Sequence, residues 1–411
     1  MFERLFKNCV EGKLIQRMRS KPVPKVIRII DKLLSYPCIY FMSRTIPIKK
    51  SRIVFLTFRG AYDCNPKWIT EELIRRKSSY QLVWCINKDA SEDNFPSEVI
   101  LSYRQSFELI KHISSAQIII DNAVNLAHLG YKKKKGQVLI QTWHGSFGIK
   151  KFGRDTNKDK RWVRRAYSEA RETDYCISNS ITEENVFKDT FWKNNKILRL
   201  GHARNDILCE VGTKRLEDIR KKVFMKYSIE PSTKLCLYAP TYRDNGDFSS
   251  YVLDYIGLKN ALETRFGGKW IVLTRFHYRV LEYLDDYPRN DAVIDVSTYS
   301  DIQEILTCID VGITDYSSWI CDYMLTKRPG FLFATDLFAY EKEDRELLYP
   351  LDTMPFPLAE NNEQLLRNIL SFDNEKYLED CDAFLLKMGC VDDGLASSRI
   401  CDTIDIIMNS I

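Results

Sequence analysis

The residues best suited to chemistry fall in five short clusters. "QTWHG" sets His144 at the end of an apolar run, with Lys150, Lys151 and Arg154 close behind. "YAPTYRDN" carries Thr241, Arg243 and Asp244, and "TRFH" carries Arg275 and His277. "TDYSSWICD" carries Asp315, Ser317, Ser318 and Asp322, and "GHARND" carries Arg204 beside Asp206. Histidine titrates near neutral pH and suits a base that accepts a hydroxyl proton. Arginines, and serines opening a helix, suit an anion such as a phosphate. Lysines and an arginine this close to a histidine have no use in an apolar core. They read as the wall of a site for a phosphorylated substrate. Taken singly, each cluster has a plainer reading as a helix cap, a turn or a hydrogen-bonded loop histidine. Their common position at strand ends is what gives them weight.

That position follows from the pattern around them. From residue 52 short apolar runs alternate with amphipathic helical segments: 52–58, 80–86, 116–121, 137–143, 175–180 and 197–201 read as strands. The pattern restarts with strands at 234–240, 270–276, 292–296, 310–315 and 330–335, and the end is helical from about 361. Continuous apolar strands between helices indicate parallel sheets covered on both faces. The expectation is an α/β fold of two Rossmann-like doubly wound domains, joined near 202–212. Ligands of such sheets sit beyond the carboxyl ends of the strands, where the clusters lie.

Composition narrows the field. With 411 residues, 45% hydrophobic and 28% charged, the chain is long enough for two globular domains. Its twelve cysteines form no C-x-x-C pair and no Cys/His cluster, so reduced core thiols are expected and a metal site is not. No stretch is apolar for long enough to span a bilayer. The formal net charge of +5 is unevenly placed: residues 1–50 hold twelve Lys/Arg against three acids. Within that arm Val26, Ile27, Ile29, Ile30, Leu33 and Leu34 recur at helical spacing, followed by the aromatic "YPCIYFM". A basic amphipathic arm suits an anionic membrane surface; packing on the first domain is the plainer alternative. Nucleic acid is not an expected partner, because the positive charge sits in a terminal arm with no stacked aromatic platform.

"QTWHG", "APTYRD", "LTRFH" and the block "DIQEILTCIDVGITDYSSWICDYMLTKRP" occur in an order that resembles the CDP-glycerol glycerophosphotransferases of teichoic acid and capsule synthesis, from about 135 to 370. The resemblance implies a GT-B arrangement, two Rossmann-like domains facing a cleft, and monotopic association with the cytoplasmic face of the membrane. It implies transfer of glycerol phosphate, or ribitol phosphate, from a CDP-activated donor to a hydroxyl of a lipid-linked glycan, releasing CMP, with no cofactor. It carries two catalytic histidines onto His144 and His277. His144, in the acceptor domain, is assigned as general base, and His277 is set beside Arg275 at the donor pyrophosphate. The corresponding division is an arm at 1–50, an acceptor domain at 51–203 and a donor domain with helical tail at 204–411. Two departures stand out: Gly148 replaces a proline after W-H-G, and "GHARND" replaces "GYPRND", which introduces His202. The alternatives are a ribitol donor, a GT-B glycosyltransferase using a nucleotide sugar, and a membrane-bound scaffold. Oligomeric state and the number of units added are not legible in the sequence.

Overall fold

A computed structural model describes residues 40–41, 43–88, 90–104, 106–147, 149–151, 159–243, 250–277 and 293–410. Most of the basic arm, together with Gly148, Arg154 and Asp244, lies outside the described residues. The strands of the first lobe are β1 (Lys49–Leu56), β2 (Gln81–Ile86), β3 (Val99–Tyr103), β4 (Ala116–Asp121), β5 (Val138–Gln141), β6 (Tyr175–Ser178) and β7 (Lys196–Arg199). Those of the second are β8 (Lys234–Tyr238), β9 (Trp270–Thr274), β10 (Val293–Asp295), β11 (Val311–Thr314), β12 (Gly330–Phe333) and β13 (Leu358–Ala359).

The first sheet has the order β3-β2-β1-β4-β5-β6-β7 and the second β10-β9-β8-β11-β12-β13. The strand pairs within both are parallel. The apolar runs explain this. The six residues of β4 are all buried, as are the four of β11, so each strand is covered on both faces. In each sheet the chain order reverses at one place, between β1 and β4 and between β8 and β11. A doubly wound sheet opens its crevice there. The two doubly wound sheets match the expected α/β class.

Two strands escaped the periodicity. β3 is an edge strand with an irregular burial pattern, and β13 is two residues long. The tail needs a larger correction. The helix Ala396–Ser410, grouped on sequence with the second domain, packs on the first lobe. Gln117 Nε2 donates to the Met408 carbonyl at 3.3 Å, and Tyr80 donates its hydroxyl to Asp405 at 2.7 Å. The physical reason is the buried stripe of Ile400, Cys401, Ile404, Ile407 and Met408, which has the helix Cys64–Arg75 and β4 to cover.

Ion pairs join the lobes. Lys67, on the helix Cys64–Arg75, sits 2.7 Å from both Asp301 and Glu304, at the start of the helix Ile302–Cys308. Burial opposes charge on Glu304, yet the Lys67 ammonium, with hydrogen bonds from Lys67, Tyr299 and Lys222, holds its carboxyl down to about 2. Among the described residues the cysteines are free thiols, and no helix is long and apolar enough to cross a membrane.

Candidate active site

At the first crevice, the loop after β5 is held in an unusual backbone. Trp143 and Phe147 both have positive φ, at 51° and 44°, and Arg59 after β1 has φ 59°. Non-glycine residues there cost of order 1–3 kcal/mol each and persist only when their surroundings impose them. The surroundings do so here. Asn65 donates to the Thr142 carbonyl at 3.0 Å, Arg204 Nη2 to the Gly145 carbonyl at 2.7 Å, and Asn179 to the Ser146 hydroxyl at 2.8 Å. Trp143 N donates to Gln141 Oε1 at 2.8 Å, and the Trp143 ring packs edge-on against Trp192.

Between those strained residues lies His144. Its Nδ1 is 2.6 Å from the carbonyl oxygen of Asn122, the residue after β4. A carbonyl only accepts, so Nδ1 carries the proton and Nε2 keeps a lone pair. Asn122 Oδ1 also accepts from Phe58 N at 2.9 Å, and the Phe58 ring stacks on His144 at 6.2 Å between centroids. The histidine, borne on the β5 loop, therefore meets the β1–β4 crevice through these two contacts. The residue is solvent-exposed at its edge, but the protein packed around it removes solvation and lowers its pKa below the ordinary 6.5; the Asn122 carbonyl opposes that shift and the Arg204 charge adds to it. A neutral imidazole with an open Nε2 can accept a proton.

At the second crevice a cavity of about 430 Å³ opens between the lobes. It gathers Thr241, Arg275, His277, Ser317 and Lys150 from the sequence expectation, and adds Phe58, Tyr242, Trp319, Tyr340 and Arg345. His144 is not in its wall; Phe58 touches both. His277 is exposed and stacks on Tyr242 with centroids 5.2 Å apart. The Thr241 hydroxyl is buried without a partner among the described residues. Ser317 and Ser318 precede a helix of only five residues, Trp319–Tyr323, and Ser318 makes no capping side-chain bond. The expected anion site at a helix start thus reduces to the Ser317 position in the cavity wall.

Other expected contacts lie in the frame rather than at the cavity. Arg243, expected at a pyrophosphate, is buried with its donors engaged. Its Nε and Nη2 bind Asp336 at 2.7 and 2.9 Å, Nη2 pairs with Asp315 at 2.9 Å, and Nη1 binds the Thr241 carbonyl. Asp315 also accepts from Thr241 N at 2.8 Å, so this lattice closes β8 onto β11 at their carboxyl ends. Arg204 and Asp322 form a buried pair at 3.0 Å where the lobes meet, and burial of Asp322 is outweighed by that cation, so its pKa falls. Lys151 pairs with Glu346 at 2.6 Å on the surface. Arg275 faces the cavity, but its Nη1 donates to the Val296 and Tyr299 carbonyls at 3.0 and 2.7 Å.

Sequence reasoning missed Asp63, which precedes the helix Cys64–Arg75. Burial, then the charge of Asp301, push its carboxyl up to about 7, with Arg275, Lys67 and Arg204 pulling the other way. A lone acid in a loop carries no periodic signal. Phe58 and Arg345 were missed for the same reason. Among the described residues no group of three His, Cys, Asp or Glu side chains could hold a metal ion.

The sequence profile of the CDP-Glycerol:Poly(glycerophosphate) glycerophosphotransferase family matches residues 38–405. The teichoic acid poly(glycerol phosphate) polymerase of Staphylococcus epidermidis is 32% identical over 377 residues, covering 87% of this chain and 51% of that protein. Its Bacillus subtilis counterpart is 27% identical, covering 97% of this chain and 54% of that protein. The chain thus spans about half the length of these two relatives. A solved structure of the wall teichoic acid polymerase TagF, a histidine-to-asparagine variant soaked with CDPG, superposes with a TM-score of 0.78 at 28% identity. It covers 94% of this chain and 97% of that one.

Proposed function

The chain belongs to this glycerophosphotransferase family, and on that premise we propose that it moves glycerol phosphate from CDP-glycerol to a hydroxyl of a lipid-linked acceptor in teichoic acid or capsule synthesis. The observation that carries the reading is His144, whose Nδ1–H is fixed on the Asn122 carbonyl while Nε2 makes no hydrogen bond among the described residues, and whose stacking partner Phe58 lines the inter-lobe cavity. In the proposed reaction Nε2 takes the proton of the acceptor hydroxyl. The freed oxygen attacks the phosphorus that bears glycerol, the bridging P–O bond breaks, and the electron pair leaves on CMP. His277, Arg275, Thr241 and Ser317 hold the donor from the second lobe. Arg243, Asp315, Arg204 and Asp322 position those groups without touching substrate. On this reading the expected division at 51–203 and 204–411 stands except for the helix Ala396–Ser410, which packs on the first lobe; the acceptor would enter at the first lobe and the donor bind at the second.

The test is nucleotide release by the purified full chain, offered CDP-glycerol, CDP-ribitol and UDP-sugars with a polyol-phosphate-primed acceptor. CMP release from CDP-glycerol in preference to the others is expected; UDP release would replace this reading with a glycosyltransferase. A lipid-linked acceptor requires work at a bilayer surface, which the basic arm at 1–50 would serve. Deleting residues 1–45 is expected to weaken binding to anionic liposomes while sparing activity on a soluble acceptor.

A further inference from the structure

We propose that Arg345 is the residue that takes the diphosphate of the cavity's occupant, an assignment that rests on the CDP-donor reading above. A nucleoside diphosphate ester carries charge on both phosphates, so its site needs a cation with unsatisfied donors. Arg243 is committed to Asp315 and Asp336, and one Arg275 nitrogen to two carbonyls. Arg345 lines the cavity with Thr241, His277 and Ser317, half-buried, and among the described residues its guanidinium makes no hydrogen bond or ion pair. Asp344 lines the same wall, but the Arg345 donors stay free to take a phosphate oxygen through charge-assisted hydrogen bonds.

Its backbone is already placed for the task. Arg345 N donates to the Tyr340 carbonyl at 3.0 Å, ending the helix Leu337–Glu343. The next residues pair with the loop that carries His144: Lys151 N donates to Glu346 O at 2.9 Å and Leu348 N to Ile149 O at 2.8 Å. Arg345 is thus held on both sides, and only its side chain has to order when a phosphate arrives. The same pairing ties its position in the second lobe to the His144 loop of the first. A phosphate drawn onto Arg345 is therefore brought towards the base.

The experiment measures CDP and cytidine binding to the full chain by calorimetry, for wild type, R345Q and R345K. A charge-assisted bidentate contact predicts that R345Q weakens CDP by about 10- to 100-fold, leaves cytidine unchanged, and is partly rescued by R345K. Unchanged CDP affinity in R345Q overturns the assignment. Equal loss of CDP and cytidine also overturns it, since the residue would then shape the pocket as a whole. Failure of the wild-type protein to bind CDP or CDP-glycerol overturns the donor reading itself, and this assignment with it.

Discussion

The two sheets open their crevices in the same topological place and fill them in opposite ways. At the first, between β1 and β4, one histidine is pinned through a single nitrogen to a backbone carbonyl, and its other nitrogen makes no hydrogen bond among the described residues. At the second, between β8 and β11, Arg243 binds both Asp315 and Asp336, and Thr241, His277 and Ser317 line the cavity beside them. The contrast separates a group kept available from groups that make a frame. A strand-end position says where a polar residue lies; its unused hydrogen-bonding atoms say whether it can act.

The largest test of that contrast is His144→Ala. It is expected to lower nucleotide release about 100- to 10,000-fold, the usual range for a positioned acid or base, while the melting temperature holds because the ring is exposed to the cleft. Turnover near wild type would place the base elsewhere. Arg243→Met should do the reverse and act first on stability. It strands the buried Asp315 and costs about 3–5 kcal/mol in denaturant unfolding, the range for breaking a buried pair. Intact stability in that variant would mean that the lattice is no frame.

A pH profile sharpens the same comparison. The pKa of His144 lies below 6.5, chiefly through lost solvation, and only the neutral ring accepts a proton. Activity is therefore present above that lowered pKa, and kcat/KM should fall on an acid limb placed below pH 6.5. A limb above 6.5 would require a carboxylate partner, and among the described residues His144 has none. The smallest effect is expected at Lys151. Its pair with Glu346 is exposed on both sides, so Lys151→Ala should change stability by under about 1 kcal/mol and leave CDP binding intact. A larger loss would show that the bridge between lobes depends on this pair as well as on its backbone bonds.

Strand cores and cleft loops were legible because burial imposes a pattern on neighbouring residues. β4 was read at its observed limits, 116–121, and His144 and His277 were both placed at strand ends. Edge strand β3 was not legible, because half-exposed strands tolerate mixed residues. The return of the last helix was not legible either: an apolar stripe declares that it must be covered, and does not declare by which lobe.

The sequence by itself determined the buried strands, the two-lobed α/β class and which side chains stand at their carboxyl ends, because periodicity and local composition act over a few residues. Only the tertiary structure decided the state of each side chain there. Arg243 and Arg345 are chemically identical and both stand near the second crevice. One meets Asp315 and Asp336 from elements some 70 to 95 residues further along the chain, and the other meets no carboxylate among the described residues. Charge compensation depends on distance in space, and distance in space is set when the sheets close.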